Sequence, residues 1–186
     1  PGTFVRLPGR TELRGVRPCL AGSLAVKANG RMGRLILDGL LLSGGVQVAP
    51  GDLDGLALRY CTLVPRVDTQ TGDPLPSLAV KDCLRLAVTL ERCVAGPLVI
   101  VDDVASLAIA DSLLALPAGV VGLVVDAPLS PASITAATLV GDVRVRSLTT
   151  SDSLYAGKCT VQRRQAGCAR FSYLGAGSRT PRRYRC

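Results

Sequence analysis

The sequence predicts an all-β solenoid, a parallel β-helix, on three observations. A short apolar phrase recurs along the chain, and a period near 20 residues is the mark of a solenoid. Aromatic residues make up only 3% of the 186 residues while hydrophobic residues make up 48%, so the interior must be assembled from many modest aliphatic side chains. The chain also carries 20 Gly and 12 Pro, which recur too often for helices of ordinary length.

The phrase is clearest at Leu56-Ala57-Leu58-Arg59-Tyr60-Cys61: an aliphatic residue, a second one two places on, and a small or polar anchor three places later. It returns as Leu78/Val80/Cys83, Val88/Leu90/Cys93, Leu107/Ile109/Ser112 and Leu148/Thr150/Ser153. Earlier copies are Leu24/Val26/Asn29 and Leu35/Leu37/Leu40, and a blurred one runs from Ile134 to Thr138. The anchors at 29, 40, 61, 83, 93, 112 and 153 are separated by 11, 21, 22, 10, 19 and 41 residues. These gaps read as half a coil, one coil or two coils, which gives about six to seven coils. Each aliphatic pair points inward from a short strand, and strands of adjacent coils pair in parallel, leaving edges only at the two ends.

In chain order, residues 1–18 form a lead-in segment broken by Pro8, Gly9, Gly15 and Pro18. Coils are expected over 19–161. Asn29-Gly30, Asp38-Gly39, Ser43-Gly44-Gly45 and Pro50-Gly51 supply corners between the strands around Leu24–Val26, Leu35–Leu37, Leu40–Leu42 and Val46–Val48. The polar stretch 65–76 is expected to stand out as a loop between the Cys61 and Cys83 repeats, where a rigid scaffold commonly carries binding residues. Ser106 to Leu116 can be drawn as a turn or two of helix, but period-2 alternation, as in Asp142-Val143-Arg144-Val145-Arg146, is the commoner pattern. Residues 162–186 differ in texture: they are basic and bear Phe171, Tyr173 and Tyr184, as a cap closing an aromatic-poor rod should.

Charge is unevenly placed. Residues 1–34 carry seven basic residues against Glu12 alone; residues 35–157 carry seven basic and thirteen acidic; residues 158–186 carry eight basic and none acidic. A mildly acidic rod thus has two basic ends. Arginines solubilising open coils account for this, and an anion or nucleic-acid site in the tail is the rival reading, which the scarcity of interleaved aromatics disfavours.

The seven cysteines have no C-x-x-C spacing and the chain has no His, so neither a zinc set nor a Ser/Cys–His nucleophile is available. Cys61, Cys83 and Cys93 share the anchor position with Ser112 and Ser153, which points to a small side chain at a recurrent turn. Cys159 after Lys158, and Cys168 between Arg164 and Arg170, sit beside cations that lower a thiol pKa, but nothing supplies the rest of a mechanism. Gly157-Lys158 lacks the upstream Gly and following Ser or Thr of a phosphate-binding loop. Pro1 to Arg17 mixes Arg with Pro, unlike a signal peptide, so synthesis in the cytoplasm with reduced thiols is expected. No apolar run is long enough for a membrane helix, Val120 to Val125 being far too short. A chain opening on Pro reads as a processed form or an excerpt of something longer.

Several phrases carry a family resemblance: Leu35-Ile-Leu-Asp-Gly-Leu40, Cys61-Thr-Leu-Val-Pro65, Ala110-Asp-Ser112, Gly141-Asp-Val-Arg-Val-Arg146, Gln165-Ala-Gly-Cys-Ala-Arg-Phe-Ser-Tyr173 and the ending Ser178-Arg-Thr-Pro-Arg-Arg-Tyr-Arg-Cys186. They resemble uncharacterised bacterial right-handed parallel β-helix proteins, some similar to components of phage-tail-like contractile injection systems. The resemblance implies right-handed coils and a β-helical part of a longer protein. It brings no catalytic residues and no cofactor.

Two functions follow as expectations. The first is a non-catalytic structural module of a larger assembly, meeting other domains or subunits through Phe171, Tyr173, Arg182, Arg183 and Tyr184. The alternative is a polysaccharide-binding or lyase-like β-helix using carboxylates on an outer strand face. Asp102-Asp103 and the pair Asp52 and Asp54 are the weak candidates for calcium or catalysis, but adjacent carboxylates in a strand point to opposite faces, and Asp at a strand end is usually a turn residue.

Overall fold

Two or three strands succeed one another in each described turn, and they pair in parallel with their counterparts in adjoining turns. The computed structural model describes residues 18–28 and 33–186, all β with no helix. The lead-in through Arg17 and the Asn29-Gly30 turn lie outside the described residues. One sheet has eight short parallel strands, from Cys19–Leu20 through Leu41–Leu42, Thr62–Leu63, Val94–Ala95, Leu113–Ala115, Thr138–Val140 and Leu154–Tyr155 to Tyr173–Leu174. A second sheet of thirteen strands is two parallel runs, one through Leu24–Val26, Val46–Val48, Leu78–Val80 and Leu98–Ile100, the other through Gly33–Asp38, Leu53–Arg59, Ala87–Glu91 and Ser106–Ala110. The runs fuse in the long strands Leu123–Thr135 and Asp142–Ser151, which serve both. The result is β-solenoid-like, and the short strands expected throughout lengthen toward the C-terminal half because there the corner between the runs straightens into continuous strand.

The inward columns are the expected aliphatic pairs in strict register. Leu35, Leu56, Val88, Leu107, Ala132 and Leu148 stack on one another, as do Leu37, Leu58, Leu90, Ile109, Ile134 and Thr150. Leu56, Leu58, Val88, Leu90, Leu107, Ile109 and Ile134 are all at most 1% exposed, each contributing on the order of 1.5–3 kcal/mol by burial. One copy needs reassigning. Leu78/Val80 stacks between Val46/Val48 and Leu98/Ile100 on the other run, not on Leu56/Leu58. The same phrase is used twice per turn, which is why the Cys83-to-Cys93 gap is about half the usual one.

Tyr155 is the exception to an aliphatic interior. It is fully buried in the column of Leu139 and Leu174, and its hydroxyl donates to Thr150 Oγ1 at 2.9 Å. Thr150, the polar residue after five aliphatics in the Leu58 column, therefore stands where the buried phenol needs an acceptor. Burial pushes the Tyr155 phenol well above its ordinary value and the Cys159 thiol up to about 12. Groups whose pKa is raised by folding hold their protons longer in the native state, so the unfolded chain ionises first and stability falls with rising pH. The urea midpoint is expected to drop above about pH 9 as unfolded thiols ionise, and again above about pH 10 for the phenol. Tyr155→Phe should lose about 1 kcal/mol at pH 8 with the hydrogen bond and flatten the second fall; an unchanged slope in the variant would contradict the buried phenol.

Two of the three corners explain the irregular spacing. At the corner after the Leu58 column, the residue before each anchor has positive φ: Tyr60, Arg92, Asp111, Ala136, Asp152 and Phe171, between 47° and 53°. None is β-branched, as this left-handed region requires. Each donates its N–H to a carbonyl of the next turn, for example Tyr60 N to Glu91 O at 3.0 Å and Arg92 N to Ala110 O at 3.0 Å. The anchor's side chain then does two jobs. Ser112 Oγ donates to Ala110 O at 2.6 Å and accepts from Cys93 N at 3.0 Å; Ser153 repeats this with Ser151 O at 2.8 Å and Ala137 N at 3.2 Å, and Ser172 with Arg170 O and Ser153 N. Cys61 and Cys93 sit in this column, their thiols 3.2 Å from Arg59 O and 3.3 Å from Glu91 O. Ser and Cys interchange here because the position needs a small group that both donates and accepts.

Among the described residues, the corner leaving the eight-stranded sheet absorbs the 65–76 and 116–122 insertions. Stretch 65–76 leaves from it as an antiparallel hairpin, Arg66–Val67 on Pro74–Leu75, a two-stranded element where an irregular loop was expected. Asp68 Oδ1 accepts from Gln70 N at 2.7 Å and Thr71 N at 3.2 Å to turn its tip. The segment 116–122 leaves from the same corner with Val121 96% exposed. Without an insertion, the corner closes on glycine. Gly157 lies against Gly141, and Gly175 against Gly157, so closely that a Cβ on either would strike the neighbour's backbone.

Candidate functional site

The outward side of the second run is a flat strip of small side chains, Ala57, Thr89, Ala108, Ser133 and Thr149 in register, flanked at one end by charge. There an open groove of about 240 Å³ is lined by Arg34, Ile36, Asp54, Ala57, Arg59 and Thr89, among others. A β-bulge builds it. The register shift between Gly33 and Arg34 leaves Asp54 as the extra residue of its strand, and a bulge re-aims the side chain it carries. Asp54 accepts from Arg85 Nε at 3.0 Å, and Arg34 lies across Gly55. Arg59 and Glu91, register partners, form an ion pair at 3.6 Å along the rim. Both ion pairs are solvent-exposed, and such pairs contribute at most about 1 kcal/mol each. Chemically the groove offers guanidinium donors, one hydroxyl and carboxylates already matched to arginines.

Of these residues only Asp54 stood out in the sequence. Arg34, Arg59, Arg85, Thr89 and Glu91 are separated by up to 57 positions and come together only through register. The signal that could have found them is the outward partner of each inward pair: Ile36, Ala57 and Thr89 lie between the aliphatics of successive copies of the repeated phrase.

Asp102 and Asp103 lie past the strand Leu98–Ile100, Asp102 at a bend, and take different partners. Asp102 Oδ2 accepts from Asp82 N at 3.1 Å, holding a turn of the preceding coil, and Asp103 pairs with Arg146 Nη1 at 3.0 Å. Among the described residues no three His, Cys, Asp or Glu side chains gather in a metal-binding group. Asp126 forms a two-toothed pair with its register partner Arg144 at 2.8 Å on both bonds, which raises the guanidinium pKa.

Phe171 and Tyr173, in the segment read as a cap, are both surface residues, 55% and 64% exposed. Phe171 occupies a positive-φ corner, which turns its ring outward, with the Arg185 guanidinium 5.8 Å from the ring centre. Tyr173 is the outward partner of Leu154. Tyr184 lies under two guanidiniums, Arg182 at 5.0 Å and Arg170 at 5.6 Å. Arg183, also exposed, is tied along the surface, donating to Thr180 Oγ1 at 2.9 Å and Ser178 O at 3.0 Å. The exposed C-terminal candidates thus form one basic, aromatic surface, with Arg183 tied down beside it.

Compared with known proteins, the chain matches no protein-family model, no curated protein and no solved structure.

Proposed function

We propose that the chain is a non-catalytic structural module, a right-handed parallel β-helix within a larger bacterial, phage-tail-like protein or assembly. The observation that carries this reading is the use of carboxylates as ties between turns: Asp54, Glu91, Asp111 and Asp126 are each paired with an arginine of an adjoining coil, and Asp103 with Arg146 two coils on. A rod whose outer charges brace successive turns is built for shape. The eight strands of one sheet favour about eight coils over six or seven. The cap reading of 162–186 is supported through backbone and not through aromatics: Arg179 N donates to Cys159 O, Val161 N to Arg179 O and Ala169 N to Arg182 O, with Pro181 buried. Other domains or subunits would meet the surface of Phe171, Tyr173, Arg182 and Tyr184.

The groove at Arg34 and Asp54 favours a second reading, an acidic oligosaccharide lying along the outer strip. Calorimetric titration with oligogalacturonate, with and without calcium, separates the two. The structural module is expected to give no saturable heat. Saturable binding that weakens at least tenfold in Arg59→Ala would overturn it in favour of the carbohydrate reading.

A further inference from the structure

Among the described cysteines, Cys61 and Cys93 are a stacked pair. Thr62 and Val94, the residues after them, are register partners, and Val94 N donates to Cys61 O at 3.0 Å. Partner strands lie about 4.8 Å apart, inside the roughly 4.4–6.8 Å Cα separation that a disulfide spans. Their side chains leave successive copies of the same corner, each thiol donating to the carbonyl two residues before it, Cys61 Sγ to Arg59 O at 3.2 Å and Cys93 Sγ to Glu91 O at 3.3 Å. The next members of the column are Leu40 on one side and Ser112 on the other, so the pair has no competing thiol. Both are 1% exposed, inside the solenoid wall.

We infer that Cys61 and Cys93 form a peroxide-sensitive dithiol site whose oxidation to a disulfide staples two successive turns across the base of the 65–76 hairpin. The roles follow from the effect of each thiol on the other. The neighbouring Cys93 thiol lowers the Cys61 pKa against the effect of burial, whereas Cys93 is raised by Cys61 and by burial. Cys61 is therefore the attacking thiolate. Its sulfur attacks one oxygen of hydrogen peroxide, giving a sulfenic acid as the O–O bond breaks and hydroxide leaves. The Cys93 sulfur displaces the sulfenic oxygen, forming the S–S bond; two thiols and one peroxide become one disulfide and two waters. Peroxide is small enough to reach a wall-buried thiol that a bulky disulfide reagent cannot. The carbonyls that lose thiol donors stay satisfied, since Arg59 O keeps Gly39 N at 2.9 Å and Glu91 O keeps Tyr60 N at 3.0 Å.

Serine already serves this column at 112, 153 and 172, so Cys61→Ser and Cys93→Ser should fold as the parent does. The reduced protein is treated with hydrogen peroxide, denatured with alkylation and mapped without reductant. The expected result is one Cys61–Cys93 linked peptide pair, with Tm raised by roughly 5–10 °C, both absent from either serine variant. In Cys93→Ser, dimedone present at denaturation should label Cys61. Peroxide-treated parent in which Cys61 and Cys93 are alkylated separately, or in which either is linked to another cysteine, overturns the site. Dimedone labelling of Cys93 in Cys61→Ser, with Cys61 unlabelled in Cys93→Ser, overturns the assignment of roles.

Discussion

Leu58→Asp is expected to leave the protein without a cooperative thermal transition. Leu58 is fully buried between Leu37 and Leu90 in the inward column of the second run. The substitution removes the leucine's burial and leaves a cavity, a loss of about 2–5 kcal/mol. It also places a carboxyl where the neighbours are aliphatic and nothing can donate to it, adding several kcal/mol whether the group is charged or protonated. Together these approach the whole stability of a typical domain, roughly 5–15 kcal/mol. Ile109→Asp should behave alike further along the same column. The contrast is Arg182→Ala with Arg183→Ala: both side chains are exposed, and the pair should cost about 1 kcal/mol or less. Circular dichroism melts decide the matter, and a Leu58→Asp variant melting within a few degrees of the parent would mean the column does not carry the fold.

Gly157→Val is the second large effect, and it acts through backbone spacing instead of burial. A Cβ at Gly157 would run into the Gly141 carbonyl and come within 2.7 Å of Asp142 Oδ1, which itself accepts from Lys158 N at 2.8 Å. Parallel strands cannot spread at one corner without breaking ladder bonds on both sides. Val143 N, which donates to Lys158 O at 2.9 Å, is the first at risk. A loss of about 3 kcal/mol or more is expected, at the upper end for overpacking. Gly122→Ala is the control, since no atom lies within 4 Å of its Cβ and its φ is not positive; its urea midpoint should match the parent's. Equal midpoints for both variants would show that the turns are not packed as tightly as the glycine corner requires.

The columns were legible in the sequence because period-2 aliphatic pairs with a small anchor leave few other ways to bury them. The phrase at Leu56/Leu58/Cys61 and its copies at 88, 107 and 148 land in one register. The sequence misled where two runs use the same phrase: Leu78/Val80/Cys83 and Val88/Leu90/Cys93 look alike, and only hydrogen-bond register separates them. The positive-φ corner was hidden because Tyr60, Arg92, Ala136 and Phe171 fill it as well as Asp111 and Asp152 do. No residue type marks it; the carbonyl of the next turn holds it in place. The groove at Arg34 and Asp54 was out of reach for the same reason, as it is assembled from three turns. In the tail, composition identified the exposed aromatics but not their orientation, which the Phe171 corner decides.

One corner keeps a fixed three-residue step from inner aliphatic to anchor, while the corner diagonal to the run absorbs a hairpin and the 116–122 segment. Among the described residues every strand of the coils therefore ladders only onto the turns next to it, with the Asp103–Arg146 pair reaching one turn further, and the molecule behaves as a line of coupled links. A broken link near either end shortens the line by one element. A broken link at Leu90 or Ile109 cuts it into two pieces, each with a new open edge and about half the length over which to hold together. Tolerance to change in such a molecule is thus graded by distance from the middle, and an insertion at the hairpin tip costs less than a single misplaced methyl at the opposite wall.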